Sequence, residues 1–403
     1  MTESDTGRGA VAAASAAGAA LVEAGGRAAA ASWRRRAGLA GAALGVVAAG
    51  AAAGVALERL VVGRGVRREA RLALDASAPY GTLRGTPGTA VADDGTVLHY
   101  EVEDPGGPGR ADAPGAARPT VVFSHGYCLS QDSWHFQRAA LRGVARAVYW
   151  DQRSHGNSRR GPGPVSMDRL GRDLRAVVDA AAPEGPLVLV GHSMGGMTVM
   201  ALLEQYPELV RDRVAGVAFV GTSPGRLTEL TYGLPAIPAQ AVQRALPGVL
   251  RALGARAELV ERGRRATADL FAGLVRRYSF ASREVDPVLV RFAERMIEAT
   301  PIDVVAEFYP ALAEHDKTEA LAALAGADVP VLALAGEKDM VTPRSHTEAI
   351  AALVPGAELV VVPDAGHLVM LEHPRAVTAR LLELLVRAGA LAPGAAGAAV
   401  GSG

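Results

Sequence analysis

Residues 187–198 read LVLVGHSMGGMT, an apolar run that ends in glycines on both sides of one serine. The pattern Gly191-x-Ser193-x-Gly195, between an apolar strand and an apolar helix, predicts a nucleophile elbow. Small residues are needed because the tight turn brings neighbouring backbone segments too close for larger side chains. Such a turn holds the serine oxygen clear of the sheet, and the first N–H groups of the helix point towards it. Ser193 is therefore the candidate nucleophile.

A serine nucleophile needs two partners, and the sequence offers both after later strands. A serine hydroxyl reacts slowly unless a general base takes its proton, and an acid must orient that base. Asp339 follows one predicted strand and His367 follows the last one, so both are expected at the sheet edge that carries Ser193. The order Ser, Asp, His along the chain is the order expected for this elbow. We therefore expect Asp339 to be the acid and His367 to be the base.

Two other carboxylates compete with Asp339 for the role of the acid. Glu337 lies nearer the strand, where a role in packing is the better expectation. Asp364 lies only three residues before His367, where it is expected to shape the turn that holds this histidine. Some enzymes of this kind carry the acid after the preceding strand. Here that position reads Gly-Thr-Ser at 221–223 and holds no carboxylate, so we favour Asp339.

The residues after the predicted strand 119–124 supply the expected oxyanion hole. They read Ser-His-Gly-Tyr-Cys, and a His-Gly pair turns the chain so that the next backbone N–H faces the serine. We assign the hole to the backbone N–H groups of Tyr127 and Met194, each worth roughly 2–4 kcal/mol of transition-state stabilisation. His125 is expected to brace this loop rather than to act as a base, because it precedes the glycine that turns the chain.

Short apolar runs alternate with helical patterns through most of the chain, which predicts a mostly parallel sheet covered by helices. The succession of strands is interrupted between residues 220 and 329, where the patterns are helical and punctuated by prolines. A helical insertion between two strands of one sheet is the simplest account. The predicted strands cover residues 97–103, 119–124, 146–150, 186–190, 214–220, 329–335 and 358–362.

Five short motifs are HGY at 125–127, DQRSHGNS at 151–158, GHSMGG at 191–196, GEKD at 336–339 and DAGH at 364–367. Together they resemble the α/β-hydrolase superfamily, specifically its cap-bearing esterase, lipase and haloperoxidase-like members. The resemblance covers about residues 90–390. It implies an α/β fold with an eight-stranded, mostly parallel sheet, helices on both faces and a helical cap over the pocket, and it implies no metal or organic cofactor. One departure is Ser154, where the family pattern usually has glycine.

The chain divides into a hydrolase core, a cap and flanking segments that differ in composition. The core is expected in two pieces because the cap interrupts it. The predicted segments are an Ala/Gly-rich tail at 1–36, a transmembrane helix at 37–57, a connector at 58–86, the core at 87–223 and 313–390, the cap at 224–312 and a tail at 391–403.

Residues 37–57 carry no charged side chain, and a helix of this length would span about 30 Å, the thickness of a bilayer core. Trp33 and the arginines at 34–36 precede it, as is typical of a membrane interface. We therefore expect an uncleaved membrane anchor with the hydrolase domain facing outward. A cleaved signal peptide and a soluble Ala-rich helix are the alternatives, and they would make the protein secreted or cytoplasmic.

The overall composition excludes several classes of partner and site. Lysine and arginine number 42, and so do aspartate and glutamate, so the formal net charge is zero and no nucleic-acid partner is expected. Cys128 is the only cysteine, which excludes an intrachain disulfide and a cysteine-based zinc site. The sequence leaves the oligomeric state open.

These residues predict the hydrolysis of small-molecule carboxylic esters through an acyl-enzyme, with apolar, small-to-medium acyl groups. The same triad could instead cleave a thioester, a lactone or a carbon–carbon bond, or could transfer the acyl group to peroxide in a cofactor-free perhydrolase or haloperoxidase reaction. The fold could also serve as a non-enzymatic ligand receptor. Because every expected catalytic position is filled, we favour an enzyme over the receptor, with ester hydrolysis as the predicted reaction and the other bond types left open.

Overall fold

The computed structural model describes residues 80–105, 119–225 and 275–392, and also residues 73, 74 and 248. The predicted tail 1–36 and the predicted transmembrane helix 37–57 lie outside the described residues, as does most of the predicted cap 224–312. In the part of the chain that is described, no helix is both long enough and apolar enough to cross a membrane. The predicted segment boundaries stay predictions.

Within the described residues, eight strands form one sheet. The strands are β1 (Thr86–Val91), β2 (Val97–Glu103), β3 (Thr120–Ser124), β4 (Ala147–Trp150), β5 (Leu187–His192), β6 (Val214–Val220), β7 (Val331–Gly336) and β8 (Glu358–Val362). Their spatial order is β1-β2-β4-β3-β5-β6-β7-β8. Neighbouring strands are parallel throughout the part of the sheet formed by β4, β3, β5, β6, β7 and β8. In contrast, β2 runs antiparallel to both of its neighbours, β1 and β4.

The sheet is therefore mixed, which corrects the expectation of a mostly parallel sheet, while the count of eight strands is confirmed. Residues 92–96 alone join β1 to β2, and the Ala92 N–H donates to the Thr96 carbonyl at 2.9 Å across this turn. A connection this short permits only an antiparallel hairpin, because a parallel pair needs a crossover of about a dozen residues or more.

Helices cover both faces of the sheet, because successive strand side chains point to opposite sides. In β5, Val188 and Val190 belong to one apolar core, whereas Leu187 and Leu189 belong to the other. The helices are α1 (His135–Leu141), α2 (Met167–Ala181), α3 (Met194–Gln205), α4 (Pro207–Arg213), α5 (Pro287–Ala299), α6 (Ile302–Ala313), α7 (Thr318–Ala325), α8 (Arg344–Leu353), α9 (Val369–Glu372) and α10 (Pro374–Arg387), with a short 3-10 turn at Gln131–Trp134. Residues of α1, α5 and α10 join the first core, and residues of α2, α3 and α8 join the second.

The loop after β4 is fixed by a buried carboxylate and contains a strained serine. Asp151 accepts hydrogen bonds from the backbone N–H groups of Gln131 at 2.8 Å and Asn157 at 2.9 Å. Within the loop, Ser154 has a φ of 64°, in the left-handed region that favours glycine. Its buried hydroxyl has no hydrogen-bond partner among the described residues. The departure from the family pattern at this position therefore strains the backbone.

Replacement of Ser154 by glycine is expected to raise the free energy of unfolding by about 1 kcal/mol, because glycine adopts the left-handed conformation without steric cost. Ser154→Ala is the control, since it removes the unpaired hydroxyl but keeps the side-chain carbon that causes the strain. We expect the alanine variant to raise the free energy of unfolding by less than the glycine variant does. Urea denaturation of both variants and the wild type measures the difference, and a glycine variant no more stable than the alanine variant would argue against strain in this loop.

Candidate active site

Ser193 lies at the turn between β5 and α3, where the sequence predicts the elbow. Its backbone has a φ of 51° and a ψ of −121°, a conformation that residues other than glycine rarely adopt. The turn packs closely, because a side-chain carbon at Gly195 would lie 2.2 Å from the carbonyl oxygen of Ser124. Strained backbone of this kind is typical of active sites, which supports the hypothesis that Ser193 is the nucleophile.

Asp339 and His367 form a hydrogen-bonded pair at the end of the neighbouring strands. Asp339 follows β7, His367 follows β8, and His367 Nδ1 lies 2.8 Å from Asp339 Oδ2. Both residues are buried, with exposed fractions of 5% and 8%. A carboxylate at this distance accepts the Nδ1 proton, which leaves Nε2 as the basic nitrogen. The structure thus brings together the two residues that the sequence predicts as acid and base.

The turn after Asp339 holds its carboxylate in place. Asp339 Oδ1 accepts the backbone N–H groups of Val341 at 2.8 Å and Thr342 at 2.9 Å. The Thr342 hydroxyl lies 3.0 Å from Asp339 Oδ2 and 2.8 Å from the Gly221 carbonyl oxygen. Sequence reasoning does not identify Thr342 as a site residue. The only local signal is a threonine three residues after an aspartate, which also occurs in ordinary turns.

Residues beside the nucleophile connect the elbow to the histidine loop. His192 donates from Nε2 to the His367 carbonyl at 3.0 Å, and the two rings lie 4.8 Å apart between centroids. Burial holds the pKa of His192 well below its ordinary value, so this ring is neutral. The Thr222 hydroxyl donates to the Ser193 carbonyl at 2.7 Å. Ser193 and His367 therefore share one buried neighbourhood at the carboxyl edge of the sheet.

The loop after β3 lies against the elbow. A side-chain carbon at Gly126 would lie 3.2 Å from Ser193 Cβ, so the two backbones approach closely there. The next residue, Tyr127, donates its hydroxyl to a backbone carbonyl in α6 and stacks on Phe308, with 6.2 Å between ring centroids. These contacts anchor the Tyr127 side chain on α6, while Gly126 lies against Ser193 and Met194 begins α3. The assignment of the two backbone N–H groups to an oxyanion hole stays a prediction.

His125 and His155 brace this loop as neutral rings. His125 Nε2 accepts the N–H of Gln152 at 2.9 Å, and its Nδ1 donates to the Gly126 carbonyl at 2.7 Å. His155 Nε2 accepts the N–H of Cys128 at 3.2 Å. Burial lowers the pKa of His125 to about 4 and the pKa of His155 to about 3. Because both ring nitrogens of His125 are engaged, it braces the loop as expected and is not available as a base.

Another serine, Ser223, contacts a histidine side chain, that of His346. Ser223 Oγ lies 2.7 Å from His346 Nδ1. The same oxygen lies 2.6 Å from the Gly225 carbonyl, which takes the hydroxyl proton. Ser223 is also fully buried, at 0% exposed. A hydroxyl that donates to a carbonyl and is shielded from solvent is a poor nucleophile, so this pair does not compete with Ser193.

Neither competing carboxylate takes the place of Asp339. Asp364 forms an ion pair with Lys338 and is 73% exposed, and this lysine lowers the pKa of its carboxyl. Glu337 is exposed and accepts the Asp364 N–H at 3.3 Å. The described residues likewise contain no group of three or more His, Cys, Asp or Glu side chains arranged to hold a metal ion.

Comparison with known proteins shows to which family the chain belongs. The model of the family described as alpha/beta hydrolase fold matches residues 119–374. The chain belongs to this family. The hydrolase is 27% identical over 297 residues to a non-heme haloperoxidase of Rhodococcus erythropolis, covering 73% of this chain and 97% of the relative. It is 26% identical over 252 residues to a bifunctional esterase/perhydrolase of Acinetobacter calcoaceticus, covering 62% of this chain and 85% of the relative.

Solved structures agree with this relationship. A thermophilic esterase from Thermogutta terrifontis superimposes with a TM-score of 0.58 at 26% identity, covering 75% of this chain and 99% of that one. Family membership and these relatives identify the chain as an enzyme with hydrolase activity. The relatives carry out different reactions by name, so the family does not by itself specify the substrate.

Proposed function

We propose that this hydrolase cleaves carboxylic esters through a triad of Ser193, His367 and Asp339. The observation that carries the proposal is the 2.8 Å contact between His367 and Asp339, beside a serine in a strained turn. A nucleophile, a base and an orienting acid in this arrangement are what acyl transfer requires. The names of two relatives, an esterase and an esterase/perhydrolase, support ester chemistry.

In the proposed mechanism, His367 takes the proton of Ser193, whose oxygen attacks the ester carbonyl. The backbone N–H groups of Tyr127 and Met194 stabilise the negative oxygen of the tetrahedral intermediate. The alcohol leaves with a proton from His367, and the acyl group stays on the serine. Water, deprotonated by His367, then attacks the acyl-enzyme and releases the acid. Asp339 keeps the imidazole in the productive tautomer and stabilises its charged form.

Apolar side chains near the predicted oxyanion donors support a preference for apolar acyl groups. Val304 and Phe308 of α6 share an apolar cluster with Met194, and the Tyr127 side chain packs against it. The segment that contains α6 thus contributes an apolar wall beside the proposed reaction centre. Acyl chains of small to medium length would bury their methylene groups there at about 0.8 kcal/mol each.

Hydrolysis of p-nitrophenyl esters of graded acyl length tests this preference. We expect kcat/KM to be highest for acyl chains near butyrate and lower for a hemisuccinate, whose acyl group is charged. The charged ester is the most informative substrate, because a pocket close to Asp339 could attract a negatively charged acyl group. This pocket has a volume of about 590 Å³, and four basic side chains line it: Arg276, Arg277, Arg283 and Lys338. Faster turnover of the hemisuccinate than of the butyrate would overturn the apolar preference.

Acyl transfer to peroxide is the second candidate function, because two relatives are named as a haloperoxidase and a perhydrolase. Hydrogen peroxide would replace water at the acyl-enzyme, releasing a peroxy acid and restoring the Ser193 hydroxyl. Bromination of monochlorodimedone in acetate buffer with peroxide and bromide measures this reaction. Bromination that requires both acetate and Ser193 would establish it, and its absence would leave hydrolysis as the reaction of this site.

We also propose that residues 37–57 attach the enzyme to a membrane, with the hydrolase domain facing outward. The support is the uncharged run itself, preceded by Trp33. Ultracentrifugation of cell lysates is expected to place the full-length protein in the membrane fraction and a chain that begins at residue 60 in the supernatant. Full-length, uncleaved protein that stays in the supernatant without detergent would contradict the anchor.

A further inference from the structure

Glu372, the last residue of α9, connects the histidine loop to the segment that precedes α5. Its carboxylate accepts the backbone N–H groups of Gly366 at 2.6 Å, Ser282 at 2.8 Å and Ala281 at 3.0 Å. Hydrogen bonds to an ionised acceptor are shorter and roughly twice as strong as neutral ones. One carboxylate therefore ties together two segments that are far apart along the chain.

These contacts surround the catalytic base. Gly366 directly precedes His367, and on the other side the Leu368 N–H donates to the Ser279 carbonyl at 2.9 Å. Both chain neighbours of His367 are thus bonded, directly or through Glu372, to residues 279–282, which belong to the predicted cap. Glu372 itself takes no part in the proposed chemistry, because Asp339 contacts the imidazole.

We propose that Glu372 is a positioning residue that fixes His367 against Asp339 and couples the cap segment 279–282 to the catalytic base. This inference rests on the proposed role of His367. A misplacement of about 1 Å in a catalytic group can lower the rate roughly 100-fold, so a fixed histidine loop has a direct effect on turnover. A displacement of segment 279–282 would reach His367 through the same carboxylate.

Glu372→Gln tests the proposal with little change in side-chain size. The glutamine keeps one accepting oxygen, but its NH₂ group meets backbone N–H donors, so at least one of the three bonds is lost. We expect kcat for p-nitrophenyl butyrate to fall about tenfold while KM changes less than about twofold. Rates are divided by active sites counted with a fluorophosphonate, so a smaller folded fraction does not imitate the effect.

The matched control is Glu383→Gln. Glu383 lies on α10, is 49% exposed and pairs with Arg380 at 2.7 Å. Its replacement also removes one negative charge, and we expect kcat and KM to stay unchanged. A Glu372→Gln variant with wild-type kcat per active site, or with a loss equal to that of the control, would overturn the proposal.

Hydrogen exchange measures the coupling without relying on turnover. In Glu372→Gln, the amides of Gly366, Ala281 and Ser282 are expected to exchange about tenfold faster together, with no such change in Glu383→Gln. Unchanged exchange in both segments would contradict the coupling. If the variant does not fold, rapid exchange of Gly366 and Ser282 in the wild type would equally contradict it. The proposed function fails separately, if Ser193→Ala keeps wild-type turnover.

Discussion

Replacement of Ser193 by alanine is expected to lower kcat for p-nitrophenyl butyrate by about 10⁶-fold, because the acyl-enzyme cannot form. His367→Ala should lower kcat by nearly the same factor. The double variant Ser193→Ala/His367→Ala should lower kcat little further, since members of a triad act as a unit. Steady-state kinetics measure the three rates. Circular dichroism and thermal unfolding are expected to match the wild type, because the serine hydroxyl contributes to chemistry rather than to packing.

Ser223→Ala is the matched control for this experiment. It removes the hydroxyl of a different buried serine, which lies 2.7 Å from a histidine ring nitrogen, His346 Nδ1. Because this hydroxyl donates to the Gly225 carbonyl, we expect its loss to leave kcat within a few-fold of the wild type. If Ser223→Ala were inactive and Ser193→Ala were active, Ser223 would be the nucleophile and the assignment of Ser193 would be wrong.

Asp339→Asn is expected to lower kcat by about 10⁴-fold with the fold intact. The asparagine oxygen can take the place of Oδ1 and keep the N–H groups of Val341 and Thr342, which Asp339 accepts at 2.8 and 2.9 Å. Its NH₂ group then faces His367 in place of Oδ2 and forces the imidazole into the tautomer that cannot take the serine proton. Steady-state kinetics and urea denaturation separate this loss from a loss of stability.

Two further variants decide whether Asp339 is the acid. Asp364→Asn and Glu337→Gln remove the two carboxylates that the sequence offers as alternatives to Asp339. Both of these side chains are exposed. We expect near-normal turnover from each. Near-normal turnover of Asp339→Asn, combined with a large loss in either of the other two variants, would show that the acid is assigned to the wrong residue.

The strands that carry the site were predictable because their apolar runs are local features of the sequence. Strands 97–103, 214–220 and 358–362 have the predicted bounds, and β5 extends two residues beyond the predicted end, to His192. The elbow was equally visible, because small residues around a serine are a direct consequence of backbone crowding. Motifs at the ends of such strands then fall at one sheet edge, which is why Asp339 and His367 could be paired by order alone.

The mixed character of the sheet was not predictable from the same signals. The strand β1 reads TPGTAV, and its proline, glycine and mostly exposed side chains leave no apolar run to recognise. It is an edge strand, where proline and polar residues are tolerated. The short turn to β1 requires the β1–β2 pair to be antiparallel, so this pair could not be predicted once β1 was missed.

Thr342 and Glu372, which contact or position members of the proposed triad, could not be predicted from the sequence for a different reason. Thr342 donates to the carbonyl of Gly221, which directly follows β6, and Glu372 accepts from Ala281, which is distant along the chain. Such contacts depend on tertiary packing, and a threonine or a glutamate in a loop has many ordinary uses. Only the assembled fold identifies them. The residues 37–57 lie outside the described part of the chain, so the membrane anchor stays a prediction.

Covalent capture of the nucleophile tests the central claim most directly. A fluorophosphonate forms a bond between phosphorus and the oxygen of an activated serine and releases fluoride, so it reports the nucleophile and its base together. Peptide mass spectrometry is expected to find one adduct per chain, on Ser193, and to find almost none in His367→Ala. An adduct on Ser223 or another residue, or undiminished labelling of Ser193→Ala, would contradict the proposed triad.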